Sequence, residues 1–195
     1  MIELNENRFE KVLSTAIINL GFEETVLRII YPFFEKIGLL WQIGTINPAQ
    51  EHFISNLIRQ KLIVAIDGII GNSNDDPKQF MLFLPEGEFH EIGLLFYYYI
   101  IKKAGHKVVY LGESVPLNDM LQVAEIRVPD YLLTSITNVL IDGDLQEYLD
   151  ELAKNFKDQT IFIGGLQLKD NELKPHANIK VVQKVTSFKE ELKKL

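Results

Sequence analysis

Cysteine is absent from this chain of 195 residues. Disulfides, thiolate nucleophiles and cysteine-ligated zinc or iron–sulfur sites are thereby excluded. Positive charge is scarce as well: 20 Lys and Arg stand against 27 Asp and Glu, a formal net charge of −7. Gripping a nucleic-acid backbone needs clustered Lys and Arg, so this chain is not expected to hold DNA by itself. No apolar run approaches the ~20 residues that span a bilayer, and the N-terminus lacks the basic-then-apolar order of a signal peptide. The expected compartment is therefore the cytoplasm, with no membrane among the partners. What is present, 47% hydrophobic and 24% charged residues, is the balance of a globular protein able to build one large core or two small ones.

Up to about Ile70 the apolar residues recur at helical spacing. Phe9, Val12, Leu13, Ala16, Ile17 and Leu20 mark a first helix, and Gly21 follows as its stop. A second stretch from Phe22 to Leu40 carries Val26, Ile29, Ile30, Phe33 and Ile37 on one side, and Pro32 within it should kink or split it. Asn47, Pro48 and Gln50 form a helix start with a capping box and proline at the first helical position. From there Phe53, Ile54, Leu57, Ile58, Leu62, Ala65, Ile66 and Ile69 run for about six turns. Short loops between such helices predict a small bundle over residues 1–70. The polar stretch from Gly71 to Pro77 has turn chemistry and no apolar period, and reads as a linker over 71–78.

Beyond it the pattern alternates. Strands are predicted at Gln79–Leu84, Lys107–Leu111, Tyr131–Ile136, Thr160–Ile163 and Ile179–Val182, with helices at Glu91–Ala104, Leu117–Ile126, Leu145–Phe156 and Phe188–Lys194 between and after them. Such alternation predicts, over residues 79–195, a Rossmann-like α/β domain: a flavodoxin-like, five-stranded parallel sheet with helices on both faces. Parallel sheets of this kind bind ligands beyond the carboxyl ends of their strands.

Three groups of residues fall at such places. After the first strand, Glu88-Phe89-His90-Glu91-Ile92-Gly93 puts a histidine two residues past a carboxylate on a loop that opens a helix. A metal-ligating histidine commonly gives its second ring N–H to a carboxylate, so the segment reads either as such a pair or as a solvated helix N-terminus whose acidic side chains complement the dipole. Gly93 would let a ligand or a neighbouring backbone come close to the helix start. Ser135-Ile136-Thr137 ends the third strand, read either as a turn or as part of a site. Gly164-Gly165 ends the fourth, read either as a plain turn or as backbone that must approach a ligand.

Together these segments resemble the cobalamin-binding domain shared by methionine synthase, corrinoid methyl carriers, several mutases and a group of transcriptional regulators. The family pattern is Asp-x-His-x-x-Gly, then Ser-x-Leu or Ser-x-Thr, then Gly-Gly, and this chain departs from it in Glu88 for Asp, which keeps the charge and lengthens the reach. The resemblance implies that His90 is the lower axial ligand to cobalt in place of the cofactor's dimethylbenzimidazole. Glu88 would be its hydrogen-bond partner, and Ser135, Thr137, Gly164 and Gly165 would line a slot for the displaced nucleotide tail. In the helical half, Trp41 is followed by nine residues and then Glu51-His52, which by themselves also read as a core anchor and a polar helix face. This spacing resembles the signature of light-responsive, cobalamin-dependent MerR-type repressors, in which a four-helix bundle caps the corrin and these residues surround the adenosyl group.

The resemblance therefore implies a sensory module, not an enzyme: adenosylcobalamin held between bundle and sheet, a homo-oligomer whose assembly responds to it, and DNA reached only through a helix-turn-helix domain that this chain lacks. It would then be part of a longer regulator or a sensor acting through a partner. Those repressors carry a histidine directly after the Trp, where this chain has Gln42, a poor cobalt ligand. Two alternatives stay open: a corrinoid methyl carrier, and a regulator relative without the cofactor. His106 and His176 are expected to be exposed loop histidines, and Phe96-Tyr97-Tyr98-Tyr99 to combine core packing with a subunit-contact face.

Overall fold

The computed structural model describes residues 4–42, 44–71, 74–140, 144–170, 173–174 and 176–195, apart from the side chains of Trp41, Gln42, Lys169 and Asp170. The chain forms two compact units, Met1–Lys61 and Leu62–Leu195. The division falls inside a helix, ahead of the polar stretch at 71–78, of which Asn72 and Ser73 lie outside the described residues.

The first unit is helical. Helix α1 (Glu6–Leu20) starts at Asn5, whose side chain accepts from the Arg8 N–H at 2.9 Å, and stops at Gly21. Next come α2 (Phe22–Thr25), a π-helical turn at Val26–Ile30 and α3 (Tyr31–Gln42). The widened turn accounts for Pro32. Proline has no N–H for the carbonyl of Arg28, and its ring presses on that carbonyl in a regular helix. The expected break is thus a local widening. Helix α4 (Pro48–Asp67) begins with the predicted reciprocal cap: the Asn47 N–H donates to Gln50 Oε1 and the Gln50 N–H to Asn47 Oδ1, each at 3.0 Å.

The second unit takes up the end of α4, where Lys102 Nζ donates to the Ile66 carbonyl at 2.8 Å. A cation suits the negative end of a helix. The unit then runs β1 (Gln79–Pro85), α5 (Ile92–Lys103), β2 (Lys107–Val115), α6 (Leu117–Ile126), β3 (Tyr131–Ser135), α7 (Leu145–Asn155), β4 (Thr160–Gly164), a short α8 (Gln167–Asp170), β5 (Ile179–Val181) and α9 (Val185–Leu192). All strand pairs are parallel, in the order β2-β1-β3-β4-β5. The fold class is thus the expected one, helices followed by a five-stranded parallel sheet. Strand order reverses between β1 and β3, which makes the ends of those strands the place for a ligand.

Period-two alternation decides which helix each side chain meets. Met81, Phe83, Leu132 and Ile161 pack with Met120 and Ala124 of α6 and with Leu152 of α7. On the opposite face Phe80 and Phe162 meet Phe188 of α9 edge-on, at centroid distances of 6.5 and 5.2 Å. The aromatic run of α5 is absorbed by packing within this unit. Phe96 and Tyr99 are buried, Tyr97 meets Phe188, and Tyr98 stacks on Tyr110 of β2 at 5.3 Å. Burial pushes the Tyr97 hydroxyl up to about 12. Among the described residues no helix is long and apolar enough to cross a membrane.

Candidate functional site

The site grows from the turn that leaves β1. Pro85 cannot continue the strand's hydrogen bonding, and its carbonyl accepts the Glu88 N–H at 2.9 Å, which reverses the chain. Glu88 is thereby turned inward and is only 2% exposed. A buried carboxylate needs donors for its lone pairs, and Glu88 finds them in two loops. Oε1 accepts from the His90 N–H at 3.0 Å and meets His90 Nδ1 at 2.6 Å. Oε2 accepts from the N–H groups of Thr137 and Asn138, at 2.7 and 2.8 Å. Burial alone would raise its pKa. The bonds from the His90 ring and from the Asn138, His90 and Thr137 amides outweigh that and hold it at about 2.

An ionised carboxylate only accepts, so Nδ1 of His90 carries the proton and a neutral ring has its lone pair on Nε2. The ring is 57% exposed beside its buried partner. An exposed imidazole with its tautomer set by a buried carboxylate is suited to ligating a metal through Nε2.

The other predicted segments converge on the same edge. Ser135 pairs with Gly164 in the β3–β4 register, and the Ile136 N–H donates to the Gly164 carbonyl at 2.9 Å. Gly165 has φ +110°, and a Cβ there would stand 2.0 Å from the Ile136 carbonyl oxygen. The backbone it approaches most closely is therefore that of β3's own continuation. Gln167 then ties the two loops, its side chain donating to the Thr137 carbonyl at 3.3 Å. A crevice of about 500 Å³ opens beside them, lined by Ile136, Asn138, Val139, Leu145 and Gln167 among others. At Gly93, apart from its chain neighbours and the backbone of its own helix, no atom of the described residues lies within 4 Å of where a Cβ would be, so that space at the start of α5 stays open.

Sequence reasoning missed the apolar rim. Phe89, Val139 and Leu166 are 56%, 77% and 54% exposed, one at the end of each of β1, β3 and β4. Large exposed side chains gathered on one edge mark a binding surface. Their signal was adjacency, since each lies within two positions of a motif residue. A flat, largely apolar ligand with a metal at its centre fits this combination of rim, open helix start and presented imidazole.

In the helical unit, Glu51 and His52 open α4 with Oε2 and Nε2 3.6 Å apart, His52 being well exposed. Trp41 ends α3, but its side chain and that of Gln42 lie outside the described residues. The two remaining histidines correct an expectation. His106 is buried at the start of β2, where Nδ1 accepts from the Lys78 N–H at 3.2 Å. His176 is partly buried, with Nε2 2.8 Å from Asp150 of α7. Both fasten a loop to a neighbouring element, which is why neither is simply solvated. Among the described residues no three His, Asp or Glu side chains gather as they would around a bare metal ion.

Comparison with known proteins bears on the helical part and on the fold. Residues 1–65, the helical part, match the family model described as B12 binding domain. That match likens the helical part of the chain to B12-binding domains. The chain is 24% identical over 170 residues to the HTH-type transcriptional repressor CarH of Myxococcus xanthus, covering 86% of this chain and 56% of that protein. It is 29% identical over 137 residues to the repressor CarA of the same organism, covering 69% and 46%. The expected resemblance to transcriptional regulators is thus met by two HTH-type repressors, and the chain spans about half the length of these curated relatives. The Methanosarcina barkeri monomethylamine corrinoid protein shares the fold over 100% of this chain and 94% of its own, with a TM-score of 0.69 at 16% identity.

Proposed function

We propose that this chain is the corrinoid-sensing part of a transcriptional regulator. The observation that carries the reading is the ring of His90, presented at the β1/β3 switch by a carboxylate that two strand-end loops hold ionised. His90 Nε2 would bond the cobalt from below, and Glu88 would fix its tautomer and raise its basicity. Ser135, Thr137, Gly164 and Gly165 would flank the displaced nucleotide tail, and Phe89, Val139 and Leu166 would cover the edge of the ring. Trp41, Glu51 and His52 would serve the upper face. When bound, the corrinoid supplies a cobalt whose upper ligand can exchange, and adenosylcobalamin is the form we expect. Cofactor state would bias the oligomeric state of the protein, and with it DNA binding by a helix-turn-helix domain elsewhere in a longer regulator.

The chain is to be mixed in the dark with adenosylcobalamin or hydroxocobalamin, desalted, and examined by visible spectroscopy and size exclusion. Retained colour, lost in His90→Ala, and an elution volume that shifts with cofactor are expected. A colourless protein after desalting would refute corrinoid binding. Unchanged elution would leave binding without switching.

A second reading, a corrinoid methyl carrier, draws on the full-length fold match to the monomethylamine corrinoid protein. It requires that the loaded chain accept a methyl group from one methyltransferase and pass it to another, an assay in which a sensor stays inert.

A further inference from the structure

The edge strand β2 curls over the loop that carries Glu88 and His90. Its register against β1 slips twice: Leu82 pairs with Tyr110, Phe83 with Gly112 and Pro85 with Val115, so β2 holds one extra residue at each step. Such bulges re-aim the residues they contain. Ser114 sits in the second bulge with φ +53°, and it and Leu4 are the non-glycine residues with positive φ among those described. That conformation is unfavourable for an L side chain, and it persists where the surroundings over-determine it. What surrounds Ser114 is the candidate site. Its Oγ accepts from the Gly87 N–H at 3.1 Å, and its own N–H donates to the Glu88 carbonyl at 3.0 Å. One residue thus holds the Glu86–Gly87 peptide by its N–H and the Glu88–Phe89 peptide by its carbonyl.

We infer that Ser114 is a positioning residue, which sets the height of the β1 loop so that the Glu88 carboxylate reaches the Thr137 and Asn138 amides while His90 stays at the edge. The inference rests on the corrinoid reading only for its consequence at cobalt; the loop geometry stands apart from it. Without the Oγ acceptor the Gly87 N–H loses its partner, the turn loosens, and the carboxylate leaves its far donors first, because they lie in the separate loop that follows β3.

Two measurements on the full chain separate these levels. In the cofactor-free protein, Ser114→Gly tolerates the backbone conformation yet lacks the hydroxyl, and Ser114→Ala lacks it with Cβ retained. Amide exchange at Gly87, Thr137 and Asn138 is expected to rise about tenfold in both, the factor that one net hydrogen bond represents. Exchange at Leu132 in the buried sheet should stay unchanged, which a general loss of stability would not allow. In the protein labelled with ¹⁵N-histidine, loaded with cobalamin and reduced to its paramagnetic cobalt(II) form, the native electron spin resonance spectrum should show the two-line nitrogen splitting of a ¹⁵N ligand from His90 in place of the three lines of the cofactor's own base, and this should weaken in both variants. Native-like exchange at Thr137 and Asn138 in Ser114→Gly would overturn the role of Ser114 whatever the cofactor does. Absence of the two-line ¹⁵N splitting in the native chain would instead overturn ligation by His90, with the exchange result still deciding Ser114.

Discussion

The helical unit and the α/β unit differ in how much of their apolar surface the chain itself covers. In the sheet, the central positions of β1, β3 and β4 are buried, and the large exposed apolar residues of those strand ends are the rim of the candidate site. In α1, by contrast, Leu13 is the buried residue, while Val12, Ile18 and Leu20 are exposed, Ile18 by 83%. The α/β unit buries its sheet, and although Ile70, Ile126 and Val128 are also exposed, the exposed apolar groups at the ends of β1, β3 and β4 lie where a ligand would sit. The helical unit leaves apolar surface along whole helices. A core with that little burial contributes much less to stability, because hydrophobic stabilisation scales with the area removed from water.

The largest test of that contrast is Phe162→Ala, at a ring packed between Tyr131 and Phe188. A loss of about 3–5 kcal/mol in denaturant unfolding is expected, and a loss under 1 would mean that the sheet core is not what holds this unit. Gly165→Ala should lose about 3 kcal/mol, from its backbone conformation and the clash with the Ile136 carbonyl; a native melting temperature would show that the two loops separate easily. Glu88→Gln replaces an acceptor of four bonds with a group that is half donor. About 1–3 kcal/mol should be lost, together with slow exchange at the Thr137 and Asn138 amides.

His106 gives a smaller, pH-dependent effect. Burial, then the charge of Lys78, lowers its pKa below the ordinary 6.5. A depressed value means that the fold holds the ring neutral, so stability is complete above pH 6.5 and falls as the pH drops below it. His106→Gln should flatten that acid-side slope, and equal slopes in the two proteins would contradict a neutral acceptor for the Lys78 N–H. The smallest effect belongs to the helical unit. Ile18→Ser should change stability by about 0.5 kcal/mol or less. A drop of several would mean that α1 is covered in the assembled protein, and the contrast between the units would then hold only for the single chain.

Much of this was legible in order of residues. The capping box at Asn47 and Gln50 works as written because both partners lie within one turn. The strands were readable from short apolar runs, and their parallel pairing from the helices between them. Pro32 announced a break but not its form, since a kink, a split and a widened turn relieve the same clash. His106 and His176 looked like loop residues because their partners, Lys78 and Asp150, are 28 and 26 positions away. Ser114 gave no signal at all, because a strained φ in a bulge depends on which residues of β1 it faces.

The amino-acid order alone determined the element types, the loops that follow strands β1, β3 and β4, and the likeness to cobalamin-binding regulators, all of which depend on neighbours close in the chain. Tertiary structure decided the rest. The Glu88 carboxylate meets Thr137 and Asn138 across 49 and 50 positions, and Gly165 lies against Ile136, only because parallel pairing sets those strand ends side by side. Which groups a buried charge meets is a property of register, and register is settled when the whole sheet buries its faces at once.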